Sequence, residues 1–136
     1  MSYIYLGSPY SHKNPNVRLS RFRKAQKAMV YLMSQDKTVY SPIVQFHELA
    51  LAYILPKEFD FWKEHNYNMI RHAKSFAVLD LGGTTVENSK GLQAEIRFAR
   101  QLNIPVSILP WNIVSNYHKR ALTQILRNPT YGQEKA

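Results

Sequence analysis

One carboxylate stands where a carboxylate should not be. From Leu92 the chain turns helical, with Leu92, Ile96 and Ala99 at i, i+4 and i+7, and Glu95 falls at i+3 of that series, on the apolar face. Carboxylates are seldom buried without a partner. Glu95 therefore either has a fixed hydrogen-bond partner or faces a cleft where it does chemistry. Just upstream, Ser75 to Leu81 is an apolar run broken only by Asp80, the pattern of a buried parallel strand that brings a carboxylate to its C-terminal end. A Gly-Gly-Thr-Thr loop follows, and Ser89-Lys90-Gly91 opens the helix. A helix start suits an anion, and in open α/β sheets ligands sit beyond the strands' carboxyl ends. The stretch reads as a site, with Glu95 its reactive group and Asp80, Ser89 and Gly91 around it.

Other candidates lie on the elements that must surround it. Phe59 to Ala73 is amphipathic, with Trp62, Met69 and Ala73 sharing a face with His65 and Asn66. Asn66 is thus a second polar group aimed inward, able to cap a loop or to pair with Glu95. At the N-terminus the β-run Tyr3-Ile4-Tyr5-Leu6 stops at Gly7-Ser8-Pro9-Tyr10, a strand-to-loop junction where backbone N–H groups commonly grip a ligand. Neither the dinucleotide fingerprint nor the P-loop pattern is present there. From Val17 to about Ser34 the pattern is helical, with Leu19, Phe22, Ala25, Met29 and Leu32 on one stripe. Arg18 and Arg21 lie mostly off it; they form a solvated face or, being nearest the first loop, reach a phosphate. His47 beside Glu48 has no second histidine at i+4, so it reads as a polar contact and no metal is expected.

Stepping outward, the elements read strand, helix, strand, helices, strand, helix, strand, helix. The second strand is Thr38 to Val44, ended or demoted by Pro42, and Gln45 to Ile54 follows as a short helix or loop. Ile104 to Leu109 is the last strand and Asn112 to Arg127 the last helix, with Ala121, Leu122 and Ile125 inward. That alternation predicts an α/β fold: a small doubly wound, Rossmann-like parallel sheet of about four to five strands with helices on both faces. One domain spans residues 1–128, and 129–136 reads as a flexible tail.

Composition narrows the partners. There are no cysteines, hence no disulfide framework and no thiolate zinc site. No apolar run approaches the ~20 residues of a membrane span. The start, MSYIYLGSPY, is too short and too polar for a signal peptide, so a cytoplasmic location is expected. Lys and Arg outnumber Asp and Glu by 18 to 9, a net charge of +9 that favours anionic partners. The cations are dispersed and no groove-reading motif is visible, so a small phosphorylated molecule is favoured over nucleic acid. Nine tyrosines and two tryptophans are compatible with a symmetric homo-oligomer.

Taken together, Tyr5-Leu6-Gly7-Ser8-Pro9-Tyr10-Ser11, Ser41-Pro42-Ile43 with His47, Phe61-Trp62 before Asn66, and Ser89-x-Gly91-x-x-x-Glu95-x-x-x-Ala99 followed by Ile104-Pro105-Val106 resemble the nucleoside 2-deoxyribosyltransferase superfamily. The likeness covers about residues 3 to 109 and is closest to a short bacterial and viral branch that begins Ile-Tyr-Leu-x-Ser-Pro-Tyr-Ser. Relatives there exchange nucleobases on deoxyribose or hydrolyse the N-glycosidic bond of nucleoside 5'-monophosphates. The resemblance implies that Glu95 attacks C1' of the sugar, that Tyr5 orients it, and that Ser89 and Gly91 hold the 5' end. It also places Gly7, Ser8 and Tyr10 along the sugar and 5' group, in a cleft near a subunit interface. Such chemistry needs no cofactor. Where the family usually presents an aspartate, this chain has Asn66, which hydrogen-bonds but cannot act as a general acid. The expectation is therefore an N-glycosidase, less readily a base transferase; a non-catalytic nucleotide-binding protein and a nucleic-acid-binding protein are the alternatives.

Overall fold

The structure is a computed structural model that describes residues 2–127. Four strands, β1 (Ile4–Gly7), β2 (Val39–Tyr40), β3 (Ser75–Asp80) and β4 (Val106–Pro110), form one parallel sheet in the order β2-β1-β3-β4. The helices are α1 (Pro15–Ser34), α2 (Pro42–Ala52), α3 (Phe59–Arg71), α4 (Lys90–Gln101) and α5 (Trp111–Arg127). The expected doubly wound α/β fold is the fold observed. The expected tail, residues 129–136, lies outside the described residues.

Strand periodicity divides the core. Successive side chains of a strand point to opposite faces, so Ile4 and Leu6 leave one side of β1 and Tyr5 the other. Tyr5, Phe76 and Val78 pack with Ile70, Leu92, Ile96 and Ala99 of α3 and α4. On the opposite face Ile4, Leu6, Ala77, Leu79 and Leu109 pack with Ala28 of α1 and Val114 of α5. Tyr5 and Glu95 thus belong to the same layer. Ile4 of β1 pairs with Val39 and Ser75, and the sheet's winding changes direction between β1 and β3. A crevice at that point, beyond the strands' carboxyl ends, is where this topology places ligands.

Three expectations need correction. The run Thr38 to Val44 is not a seven-residue strand: β2 stops at Tyr40, Ser41 caps α2 by accepting from the Val44 N–H at 3.2 Å, and Pro42 occupies the first helical turn. Proline there loses nothing, because its missing N–H would be unpaired in any case. Ser41→Ala is expected to cost about 1 kcal/mol, read as a lower denaturant midpoint with an unchanged slope. In α5, Leu122 and Ile125 face outward, and Val114 near its start is the buried residue. The sheet offers no surface that far along the helix. On α1 the inward set is Phe22, Ala25 and Ala28, with Leu19 exposed.

Candidate functional site

Glu95 is buried, only 6% exposed, on the inner face of α4. Two donors meet it at one oxygen: the Tyr5 hydroxyl at 3.1 Å and the Asn66 side-chain amide at 2.9 Å both reach Oε2. Tyr5 comes from β1, the central strand beneath α4, and Asn66 from α3, packed alongside. Burial pushes the Glu95 carboxyl up to about 7, against the pull of the two hydrogen bonds, which favour the charged form. Burial and the neighbouring Glu95 hold the Tyr5 hydroxyl well above its ordinary range, so Tyr5 remains a donor. With Oε2 engaged twice, Oε1 is the oxygen left for other chemistry.

The carboxylate lines a cleft. Around it stand Ser8 and Tyr10 from the loop after β1, Ile43, Phe46 and His47 of α2, and Trp62 and Asn66 of α3. Ser89 and Gly91, at the start of α4, complete the rim. Three buried polar atoms here have no hydrogen-bond partner within the protein: Ser8 Oγ, His47 Nε2 and Asn66 Oδ1. Buried polar groups are nearly always paired, so three orphans on three of the segments around the cleft suit a polar occupant. Phe46 and Trp62, with ring centroids 4.8 Å apart, supply an aromatic side to the same space.

The sequence candidates divide. Glu95, Asn66, Ser8, Tyr10, His47, Ser89 and Gly91 line the cleft, and Tyr5 stands directly behind Glu95. Arg18 lies in an adjoining recess with Lys13 and Lys57, and that recess shares Tyr10 and Ser11 with the cleft. Arg21 is elsewhere, its guanidinium donating to the Ser11 carbonyl at 2.9 Å. Asp80 is also absent from the cleft: its Oδ1 accepts the Gly82 N–H at 2.9 Å and closes the turn after β3. Gly7 lies beneath the site, against Phe76 and Leu92. The Ser89 hydroxyl makes no cap bond to α4, and Gly91 is approached by the Phe59 ring. His65, expected inward with Asn66, is exposed and meets the Tyr40 hydroxyl instead.

Sequence reasoning missed Lys57, the cation common to the cleft and the recess. It sits alone after Pro56 between two helices, where no periodicity assigns it a face. It also missed that α2 turns Ile43, Phe46, His47 and Ala50, at i, i+3, i+4 and i+7, toward the cleft. Among the described residues no group of three His, Asp or Glu side chains forms a metal site, and no helix is long and apolar enough to cross a membrane.

A family model described as "Domain of unknown function (DUF1937)" matches residues 2–110. The match takes in all four strands and every residue named above as lining the cleft. No curated protein matches the chain.

Proposed function

We propose that this chain, which belongs to the DUF1937 family, cleaves the N-glycosidic bond of a nucleoside 5'-monophosphate or a related nucleotide, with Glu95 as nucleophile. The observation that carries the reading is the pair of donors on Glu95 Oε2, which fixes the carboxylate and leaves Oε1 free beside the cleft. Breaking a C1'–N bond passes through an oxocarbenium-like state, which a carboxylate captures as a glycosyl ester and water then hydrolyses. Nothing in that sequence requires a metal. Asn66 Oδ1 is placed to accept a hydrogen bond from a sugar hydroxyl, and Phe46 with Trp62 offers a surface on which a base can stack. Arg18, Lys13 and Lys57 provide positive charge at the mouth for a phosphate.

The nucleophile must be ionised. With the Glu95 carboxyl raised to about 7, base release is expected to climb about tenfold per pH unit below that value and to level off above it. A Glu95 left at an ordinary carboxylate pKa would give a flat profile from pH ~5.5 upward. Asn66 favours a second reading, a protein that binds a nucleotide without cleaving it, since an amide cannot protonate a departing base. The deciding experiment incubates the purified protein with nucleosides and nucleoside 5'-monophosphates and follows free base by chromatography. Release establishes the glycosidase; a raised melting temperature with no release establishes the binder.

A further inference from the structure

We propose that His47 is a catalytic residue that donates, through its Nε2–H, a hydrogen bond to the departing base; the role rests on the N-glycosidase reading above. The imidazole is held on two sides and unpartnered on the third. Its ring stacks on Phe22 with centroids 4.3 Å apart and planes 19° from parallel, which sets its plane. Its Nδ1 lies 2.5 Å from the Tyr10 hydroxyl, which sets its rotation. Its Nε2 is buried and unpartnered within the protein, on a residue that lines the cleft.

Tyr10 sets the tautomer in this reading. Arg18 shares the adjoining recess with Tyr10, and its positive charge favours the hydroxyl oxygen as an acceptor. A Tyr10 hydroxyl that donates to Nδ1 leaves the ring proton on Nε2. Burial lowers the His47 pKa despite the opposing pull of Glu48, so the ring is neutral and has a single N–H to offer. Burying an N–H without an acceptor is costly, so an acceptor brought by a ligand accounts for its position.

The surroundings select the kind of acceptor. The face that α2 turns to the cleft is Ile43, Phe46, His47 and Ala50, three apolar residues around one donor. A phosphate placed there would leave most of its oxygens against hydrocarbon, whereas a flat heteroaromatic ring needs one donor and apolar contact elsewhere. The permanent cations Lys13 and Arg18 lie in the neighbouring recess, and Lys57 stands where that recess meets the cleft. The base thus lies on α2 and the phosphate toward Lys57.

The chemistry has a place for this donor, because Asn66 spends its amide on Glu95. When Oε1 of Glu95 bonds to C1', the C1'–N pair leaves with the base, and negative charge grows on the base's ring atoms. The Nε2–H stabilises that charge without giving up its proton. Water then attacks C1' of the glycosyl ester, freeing the Glu95 carboxylate and the sugar hydroxyl, and the water's second proton goes to the base.

The test varies the leaving group. His47→Phe is expected to slow release of a purine or pyrimidine from the nucleoside 5'-monophosphate that the protein cleaves by about 10²-fold, and to slow release of nitrophenolate, which departs stably as an anion, several-fold at most. Tyr10→Phe, which leaves the imidazole in place but loses control of its tautomer, is expected to show a smaller loss with the same selectivity. Equal losses on both leaving groups, or none on the natural base, would overturn the role of His47 while leaving the glycosidase standing. Should His47→Phe fail to fold, Tyr10→Phe carries the same comparison. If the wild-type protein releases neither leaving group, the glycosidase reading falls. Nuclear magnetic resonance of the imidazole then decides the rest. An Nε2–H tautomer whose resonance shifts on adding a nucleoside 5'-monophosphate keeps His47 as the donor to the base, and an Nδ1–H tautomer or an unmoved resonance removes it.

Discussion

Glu95→Gln is expected to abolish base release and, at the same time, to make the protein more stable in mildly alkaline solution. The first effect, a loss of at least about 10³-fold, follows from removing the carboxylate proposed as the nucleophile, the one carboxylate among the described residues lining the cleft. The second follows from the burial that raises its carboxyl to about 7. Because the folded protein holds that proton more tightly than the unfolded chain does, the carboxyl favours folding below about pH 4.5, and that contribution is lost as pH rises through about 7. At about pH 8 the wild-type fold bears the whole penalty of an ionised, buried carboxylate. A difference of roughly 2.5 pKa units corresponds to roughly 3 kcal/mol. Glutamine keeps a carbonyl oxygen for Tyr5 and Asn66 and carries no charge. Thermal melts should therefore nearly coincide at about pH 4.5 and separate by roughly 10 °C at about pH 8, with the variant higher. A variant that melts at or below the wild type at the higher pH would show that Glu95 is solvated and that its placement here is wrong.

The buried carboxylate was visible in the sequence, because one residue broke an otherwise regular pattern. Leu92, Ile96 and Ala99 announce a buried helix face, and a carboxylate at i+3 of that series contradicts it. The apolar run of β3 and the alternation of elements were equally legible, since each rests on a period that short-range physics enforces. What escaped was decided by geometry at element ends. The run Thr-Val-Tyr-Ser-Pro-Ile-Val has strand composition on both sides of Pro42, yet Ser41 caps and Pro42 starts a helix, and with that boundary misplaced the face shared by Ile43, Phe46, His47 and Ala50 could not be seen. Asp80 illustrates the converse. A carboxylate at a strand end either meets a ligand or closes the turn after it, and only the backbone at Gly82, with φ of 94°, shows that it does the latter. Tyr5 and Glu95 lie ninety positions apart in sequence; no local pattern pairs them, and their contact was expected from the family resemblance alone.

Gly7→Ala is expected to lower both stability and turnover, although Gly7 does not itself line the cleft. Its strand runs directly beneath two side chains: a β-carbon at this position would lie 2.6 Å from the Phe76 ring and 2.8 Å from a Leu92 methyl. Neither neighbour yields cheaply. Phe76 is fully buried and lies 5.0 Å, centroid to centroid, from the Tyr5 ring, and Leu92 is 3% exposed in the first turn of α4. Overpacking of this kind costs about 1–3 kcal/mol, so the melting temperature should fall by several degrees. The relief available to the chain is to lift α4 or tilt Phe76, and either movement reaches the site. Leu92 is three residues before Glu95 on the same helical face, and Phe76 supports the Tyr5 ring whose hydroxyl holds Oε2. A displacement approaching 1 Å at Glu95, the proposed nucleophile, costs on the order of 10²-fold in rate. Phe76→Leu distinguishes this route from general loosening, because the smaller side chain vacates the space that the new methyl needs. Combined with Gly7→Ala, it should be less destabilising than the sum of the two single changes, and base release should recover part of what Gly7→Ala removed. Strict additivity of the two changes would mean that the methyl is accommodated elsewhere and that the floor of the site is not the contact of Gly7 with Phe76.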